Sequence, residues 1–205
     1  GGHSFGAFGL PSAIHAMGRA IAYIAELQTP QFPRTTFTVG TVTGGTSVNS
    51  IAADATFAID MRSNNSESLA IFERQAKQAA LTAVLEENSR WDSDAISVNF
   101  RLIGDRPVGS TSVESPIVQV AAGAYAKLGV DIGGMTISST DSNVPMALGI
   151  PAITISGGGD GGGAHSPAEW FKPVNSYLGP QAVLINILTL VGISGVSTPV
   201  LTDDF

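Results

Sequence analysis

Residues 51–62 restrict the fold more than any other stretch. Ile51, Ala53, Ala55, Phe57, Ile59 and Met61 alternate with Asp54, Thr56, Asp60 and Arg62, and a period of two puts the first set on one face of a strand and the second on the other. One apolar and one polar face is the pattern of an antiparallel sheet covered on a single side. Residues 35–42, rich in β-branched side chains, supply a neighbouring strand, and Thr43-Gly44-Gly45-Thr46 turns the chain between them. A polar turn at 63–66 caps a long amphipathic helix over 67–88, with Leu69, Phe72, Ala76, Ala80 and Val84 on its apolar face. An earlier helix over 11–27 opens at Pro11 and Ser12 and is ended by Pro30 and Pro33; Ile14, Met17, Ile21 and Ile24 or Ala25 form its stripe. His15, beside that stripe, reads as a packing or interface residue. Residues 95–102 alternate again, with Ile96, Val98, Phe100 and Leu102 inward. If the opening glycine segment adds a strand, the order is βαββαβ, a ferredoxin-like split βαβ module of about 110 residues.

Pro107 and Gly109 mark a break over 105–114, and the rhythm then changes. A helix over 115–128, a short strand at 135–138, a loop or single turn at 141–148, a strand at 153–155 and a helix over 177–191 alternate as an α/β layer does. The expected organisation is therefore α+β in two parts, 1–113 and 114–205. Two or three strands make a poor sheet, so the second part reads as the end of a larger α/β domain. The opening Gly1-Gly2-His3, without an initiator Met, fits a fragment or a processed product.

The chemistry gathers in residues 151–171, PAITISGGGDGGGAHSPAEWF: a short apolar run, six glycines around Asp160, then His165 with Glu169 four residues on. The glycines begin where a strand ends, which is where open α/β sheets bind ligands, and without Cβ atoms their N–H groups can approach one closely. An imidazole there suits a metal ligand or an acid/base group, with a mobile surface connection as the plain alternative. Glu169 reads either as a solvated helix cap or as a partner that orients His165. No Gly-Lys-Ser/Thr follows, so this is not a phosphate-binding loop. Gly2-His3-Ser4-Phe5-Gly6 formally matches the nucleophile elbow of serine hydrolases, with His165 as the base in that alternative, but no strand precedes it.

Composition excludes other classes. The chain has no cysteine, so thiolate metal sites and disulfides are out. A net charge of −7 without a basic run argues against nucleic acid. The most apolar segment, 182–193, is too short to span a bilayer and contains Asn186.

Several separated motifs agree on one family. Gly1-Gly2-His3-Ser4, the stretch from Gly44 to Ala52, Asp60-Met61-Arg62, and Ala164-His165-Ser166-Pro167-Ala168-Glu169 together resemble the C-terminal half of the M20 metallopeptidases and amidohydrolases, which include aminoacylase, acetylornithine deacetylase, carnosinase and carboxypeptidase G relatives. Ala52 departs from the proline usual at its position. The resemblance implies a ferredoxin-like lid and dimerisation domain followed by the C-terminal portion of an α/β zinc-peptidase domain. It implies amide hydrolysis of a peptide or N-acyl amino acid by water activated between two zinc ions about 3.5 to 4 Å apart, with cobalt or manganese as substitutes. In that scheme His165 is a zinc ligand, and His3 stabilises the oxyanion on the substrate of the partner subunit. Asn49 and Arg62 hold substrate, as do the backbone N–H groups of Gly162 and Gly163, and Asp141 shapes the pocket. A homodimer through the lid is implied too. The family's other metal ligands and its general base lie upstream of the GGHS motif, so the chain alone is expected to retain no zinc and to be inactive, a dimerisation module by itself.

Overall fold

The computed structural model describes residues 1–201 of the 205; residues 202–205 of the expected 114–205 part lie outside it. The chain is of mixed helix and strand, in two compact units, Gly1–Asp105 and one beginning at Arg106.

In the first unit, β1 (Gly2–His3) leads through turns to α1 (Ala13–Ala25), followed by β2 (Thr35–Gly44), β3 (Ser50–Ile51), β4 (Ala55–Ser63) and α2 (Ser66–Arg90). β2 and β4 pair antiparallel from Thr35↔Ser63 to Gly44↔Ala55, with one extra residue, Gly40, between Val39↔Ile59 and Thr41↔Ala58. Such a bulge shifts the side-chain phase of one strand against the other. Phe37, Val39, Phe57, Ile59 and Met61 form the covered face and pack on Ile24, Phe72 and Ala76. Thr36, Thr38, Asp60 and Arg62 remain on the open face. The ring of Phe72 stacks on Phe37 with centroids 4.6 Å apart, joining the helix layer to the sheet.

The α2 face buries Phe72, Ala76 and Ala80 as expected, whereas the α1 face differs in part from the expected one. α1 buries Ala16, Ala20 and Ile24, while Ile14 is exposed. Ala20 meets Ala80 and Ala83 of α2. Small side chains let the two helix backbones approach, so the seam is made of alanines and the bulkier residues flank it. On the sheet, Ala52 rather than Ala53 is buried, because the chain bends between β3 and β4 and the alternation loses one step. Asn65 caps α2, its Oδ1 accepting the Ser68 N–H at 2.9 Å.

Residues 95–102 do not form the expected strand. Val98 packs beside the alanine seam, and both backbone groups of Ile96 are taken by one side chain: Asn88 Nδ2 donates to its carbonyl at 2.8 Å and Asn88 Oδ1 accepts its N–H at 3.1 Å. Phe100 and Leu102 are exposed. The ladders among the described residues are all two-stranded, β1 with β3, β2 with β4 and, in the second unit, β5 with β6. The four-stranded sheet of a ferredoxin-like module is not assembled, although two helices do cover one face of an antiparallel pair.

The second unit contains α3 (Pro116–Lys127), α4 (Asn143–Ala147), β5 (Asp160–Gly162), β6 (Trp170–Lys172) and α5 (Leu178–Val191). α3 and α5 pack together through faces that bury Val118, Ala121, Ala124 and Tyr125 on one and Gly179, Ala182 and Asn186 on the other. The expected strands at 135–138 and 153–155 have no ladder partner among the described residues. Neighbouring backbone is instead held by side chains: Thr111 Oγ1 donates to Ala152 O at 2.6 Å and accepts the Ala152 N–H at 3.0 Å, and Tyr125 OH donates to Ser156 O at 3.1 Å. No helix among the described residues is long and apolar enough to cross a membrane.

Candidate functional site

The candidate residues divide between the two units. In the first, pairing of β1 with β3 brings two of them together. His3 lies opposite Ser50, and the next N–H, of Ser4, donates to Asn49 O at 2.9 Å. His3 and Asn49 are both exposed. Nδ1 of His3 accepts from the N–H groups of Phe5 and Gly6 at 3.2 and 3.3 Å. With Nδ1 occupied as an acceptor, the neutral ring carries its proton on Nε2, which becomes a free donor. Asn49 is oriented likewise: its Oδ1 accepts from Ser47 Oγ at 2.8 Å, which leaves the amide N–H₂ as the outward donor.

Arg62 stands apart from this pair. It sits on the open face of β4, with Nε 2.7 Å from Asp60 Oδ2. Its β2 partner is Thr36, whereas the β3 side of the unit joins the Ala55 end. Arg62 lies seven residue steps along β4 from Ala55, about 23 Å at the usual rise. His3 is on the β1–β3 ladder, with Asn49 next to it, whereas Arg62 is on the separate β2–β4 ladder.

In the second unit His165 lies between β5 and β6, exposed and with a φ of 63°. A left-handed backbone is uncommon for a residue with a Cβ, and such outliers gather at functional positions. The turn around it is closed by Ser166, whose N–H and Oγ both donate to Gly163 O, at 3.1 and 2.7 Å. Gly162 pairs with Trp170. A Cβ on Gly162 would meet the Trp170 indole at 2.8 Å, and one on Gly163, at φ +66°, would meet Ala168 O at 2.6 Å. Close backbone packing inside the hairpin therefore requires these glycines, whatever approaches them from outside. Glu169 caps no helix: its N–H donates to Ser166 O at 3.0 Å within the same turn. With Gly161, Gly162, Ala164, Trp170 and Phe171 it lines an open cleft of about 470 Å³. Asp141 is paired with Arg106 at 3.2 Å.

Two further features complete the picture. Ser4 does not form a nucleophile elbow, which needs a strand, a tight turn and a helix in succession; β1 has two residues and α1 starts only at Ala13. Among the described residues no three or more His, Asp or Glu side chains gather as a metal site.

One ionised residue was not singled out from the sequence. Glu87 is fully buried and accepts from Ser12 N–H and Trp91 Nε1 at 3.1 Å each and from Arg19 Nε at 3.5 Å, while His15 Nδ1 lies 3.5 Å away. Burial alone would push its carboxyl up; the Ser12 and Trp91 hydrogen bonds, His15 and Arg19 outweigh that and hold it below the ordinary value. The signal in the sequence is positional, since Glu87 continues the buried series Phe72, Ala76, Ala80, Ala83 along α2.

No curated protein matches the chain. Residues 2–88 match the family model for the peptidase dimerisation domain, M20_dimer, which spans β1 through nearly all of α2 and contains His3, Asn49, Arg62 and Glu87. Over those residues of the first unit, the resemblance to the M20 family is supported by this match to a peptidase dimerisation domain.

Proposed function

We propose that the chain is the lid and dimerisation part, together with one ligand-bearing loop, of a hydrolase that cleaves a peptide or N-acyl amino acid amide bond. The observation that carries this reading is the meeting of His3 and Asn49 on β1 and β3 within a domain of peptidase type. Attack on an amide carbonyl makes a tetrahedral oxyanion, and donors aimed at that oxygen lower the barrier. The Nε2–H of His3 and the amide of Asn49 are two such donors, each fixed by hydrogen bonds at its other atom. The Arg62 guanidinium pairs with a substrate carboxylate, after exchange with Asp60. As the family resemblance implies, His3 of one subunit serves the substrate held by its partner in a homodimer. The N–H groups bordering the cleft beside Gly162 contact substrate backbone.

His165 is the metal-binding candidate of this chain. A zinc ion wants at least three protein ligands, so the residues described here do not make a site by themselves; His165 contributes one ligand to a pair of ions whose role is to supply activated water. The left-handed backbone at His165 supports that reading.

The test is metal content by elemental analysis of the native full-length protein and of this chain, with hydrolysis of dipeptides and N-acyl amino acids before and after chelation. About two zinc ions in the former, activity lost on chelation and recovered with zinc, and a drop in rate of about 10²- to 10³-fold for His3→Ala are expected. Hydrolysis that survives chelation, or that stops with an active-site serine reagent, overturns the proposal. Dimerisation without any hydrolysis by the full-length protein leaves the non-catalytic dimerisation module as the function.

A further inference from the structure

We infer that Glu87 and Trp91, at the C-terminal end of α2, are positioning residues for His3: they hold the segment between β1 and α1 and so fix the direction of the imidazole. The inference rests on the reading of His3 as an oxyanion donor. Residues 4–12 have little of their own to hold them. Their internal bonds are local turns, such as Ala7 N–H to His3 O at 2.8 Å and Leu10 N–H to Ala7 O at 3.3 Å. Phe5 and Phe8 are 90% and 78% exposed, so no apolar core anchors residues 4–9, and burial begins only at Pro11 and Ser12. On the other side of His3 the ladder has only two residue pairs, Gly2↔Ile51 and His3↔Ser50, too short to be rigid unaided.

Two ties reach the segment from α2. Phe8 meets Trp91 edge-on, with ring centroids 5.4 Å apart and planes at 81°, a favoured aromatic geometry. Ser12 N–H, at the start of α1, donates to Glu87 Oε1 at 3.1 Å. The ties are one unit, because the Trp91 indole N–H donates to that same oxygen at 3.1 Å. The carboxylate that holds Ser12 thus also sets the indole that holds Phe8. The Arg90 guanidinium, 5.0 Å from the Trp91 ring, holds the indole from α2 itself. The turn that gives His3 its tautomer, through Phe5 and Gly6 N–H on Nδ1, lies between the short ladder and this clamp. Releasing the clamp lets motion spread into that turn, while the alanine seam and the Phe37–Phe72 stack, which do not involve Phe8, persist.

The test is the side-chain ¹⁵N spectrum of the histidines in this chain, compared for wild type, Phe8→Ala, Trp91→Ala and Trp91→Phe, with circular dichroism to follow the helices and His165 as the internal reference. Wild type is expected to show His3 as one tautomer, Nδ1 an acceptor and Nε2 protonated. Phe8→Ala and Trp91→Ala should move His3 toward the averaged tautomers of a free imidazole with His165 unmoved and helicity kept, and Trp91→Phe should restore most of the wild-type signature. An unchanged His3 in both alanine variants overturns the inference. If Trp91→Ala does not fold, Phe8→Ala decides alone, since that side chain is mostly solvent-exposed. In the active full-length protein Phe8→Ala should lower kcat about tenfold with little change in KM. The two readings fail separately. If His3→Ala leaves hydrolysis unchanged while Phe8→Ala frees the His3 ring, the oxyanion reading fails and the clamp stands; if His3→Ala stops hydrolysis and Phe8→Ala leaves the ring fixed, only the clamp fails.

Discussion

Glu87 Oε1 accepts the backbone N–H of Ser12 at 3.1 Å, across 75 residues of sequence, so the end of α2 holds the start of α1. Ser12 makes no side-chain cap for its helix; its own N–H is satisfied by the buried carboxylate. Two consequences concern stability.

The Glu87 carboxyl is held below its ordinary range in the folded state, where an unperturbed Glu titrates near 4.3. A depressed folded value means stability that is fully present above the unfolded value and is lost as pH falls through the folded one. Denaturant melts taken between pH 7 and pH 3 should therefore show a midpoint that falls on acidification, and Glu87→Gln should flatten that dependence. At pH 7 the same variant should lose about 1–3 kcal/mol, because a donor amide replaces an acceptor oxygen inside the network. A pH profile identical in wild type and variant would remove Glu87 from this role.

Phe72 is almost fully buried and stacked on Phe37. Phe72→Ala should cost about 3–5 kcal/mol from lost burial and the cavity left behind. Equilibrium unfolding in urea would detect it as a lower midpoint, and Phe72→Leu should recover much of the loss.

Gly179 lies against the backbone of Gly157, where an added Cβ would meet the carbonyl group at 2.1 Å. No rotamer change relieves a clash with backbone, so Gly179→Ala should separate α5 from the glycine loop and destabilise the second unit by roughly 2–4 kcal/mol. Gly123→Ala, on α3 with open space around it, is the control and should be neutral or slightly stabilising. Hydrogen exchange of the α5 amides would distinguish the two.

Arg62→Ala should raise KM by about tenfold or more for a substrate with a free carboxylate and leave kcat nearly unchanged, the behaviour of a group that binds ground and transition states alike. The same variant should be indifferent toward the corresponding carboxamide. Equal loss on both substrates would mean that Arg62 serves the strand through Asp60 and not the substrate.

Much of the first unit was legible because its signals are local. The alternation from Phe57 to Met61 did fix the covered face of β4, and Asn65 and the polar turn before α2 did mark a cap. Of the expected α1 stripe Ile24 is buried, but the partner helix offers alanines, so Ala16 and Ala20 replace Ile14, Met17 and Ile21 at the seam. The strand at 95–102 failed for a related reason. Its residues alternate well, but Asn88 claims the backbone of Ile96, and a strand exists only where another strand pairs with it.

The sequence alone determined the succession of helix, strands and helix from α1 to α2, save for the break between β3 and β4, and its GGHS and Asp-Met-Arg motifs carry a resemblance that the match of residues 2–88 to a peptidase dimerisation domain supports. Local periodicity and motif spacing lie along the chain and need no knowledge of distant contacts. Which residues meet was decided by tertiary structure: Asn49 beside His3 through a two-residue ladder, Arg62 on the separate β2–β4 ladder, and a buried Glu87 ionised by donors from α1 and α2. The physical reason is that hydrogen bonds and burial depend on distance in space, and a carboxylate on an apolar stripe is either a defect or a clamp according to donors that lie 75 residues away.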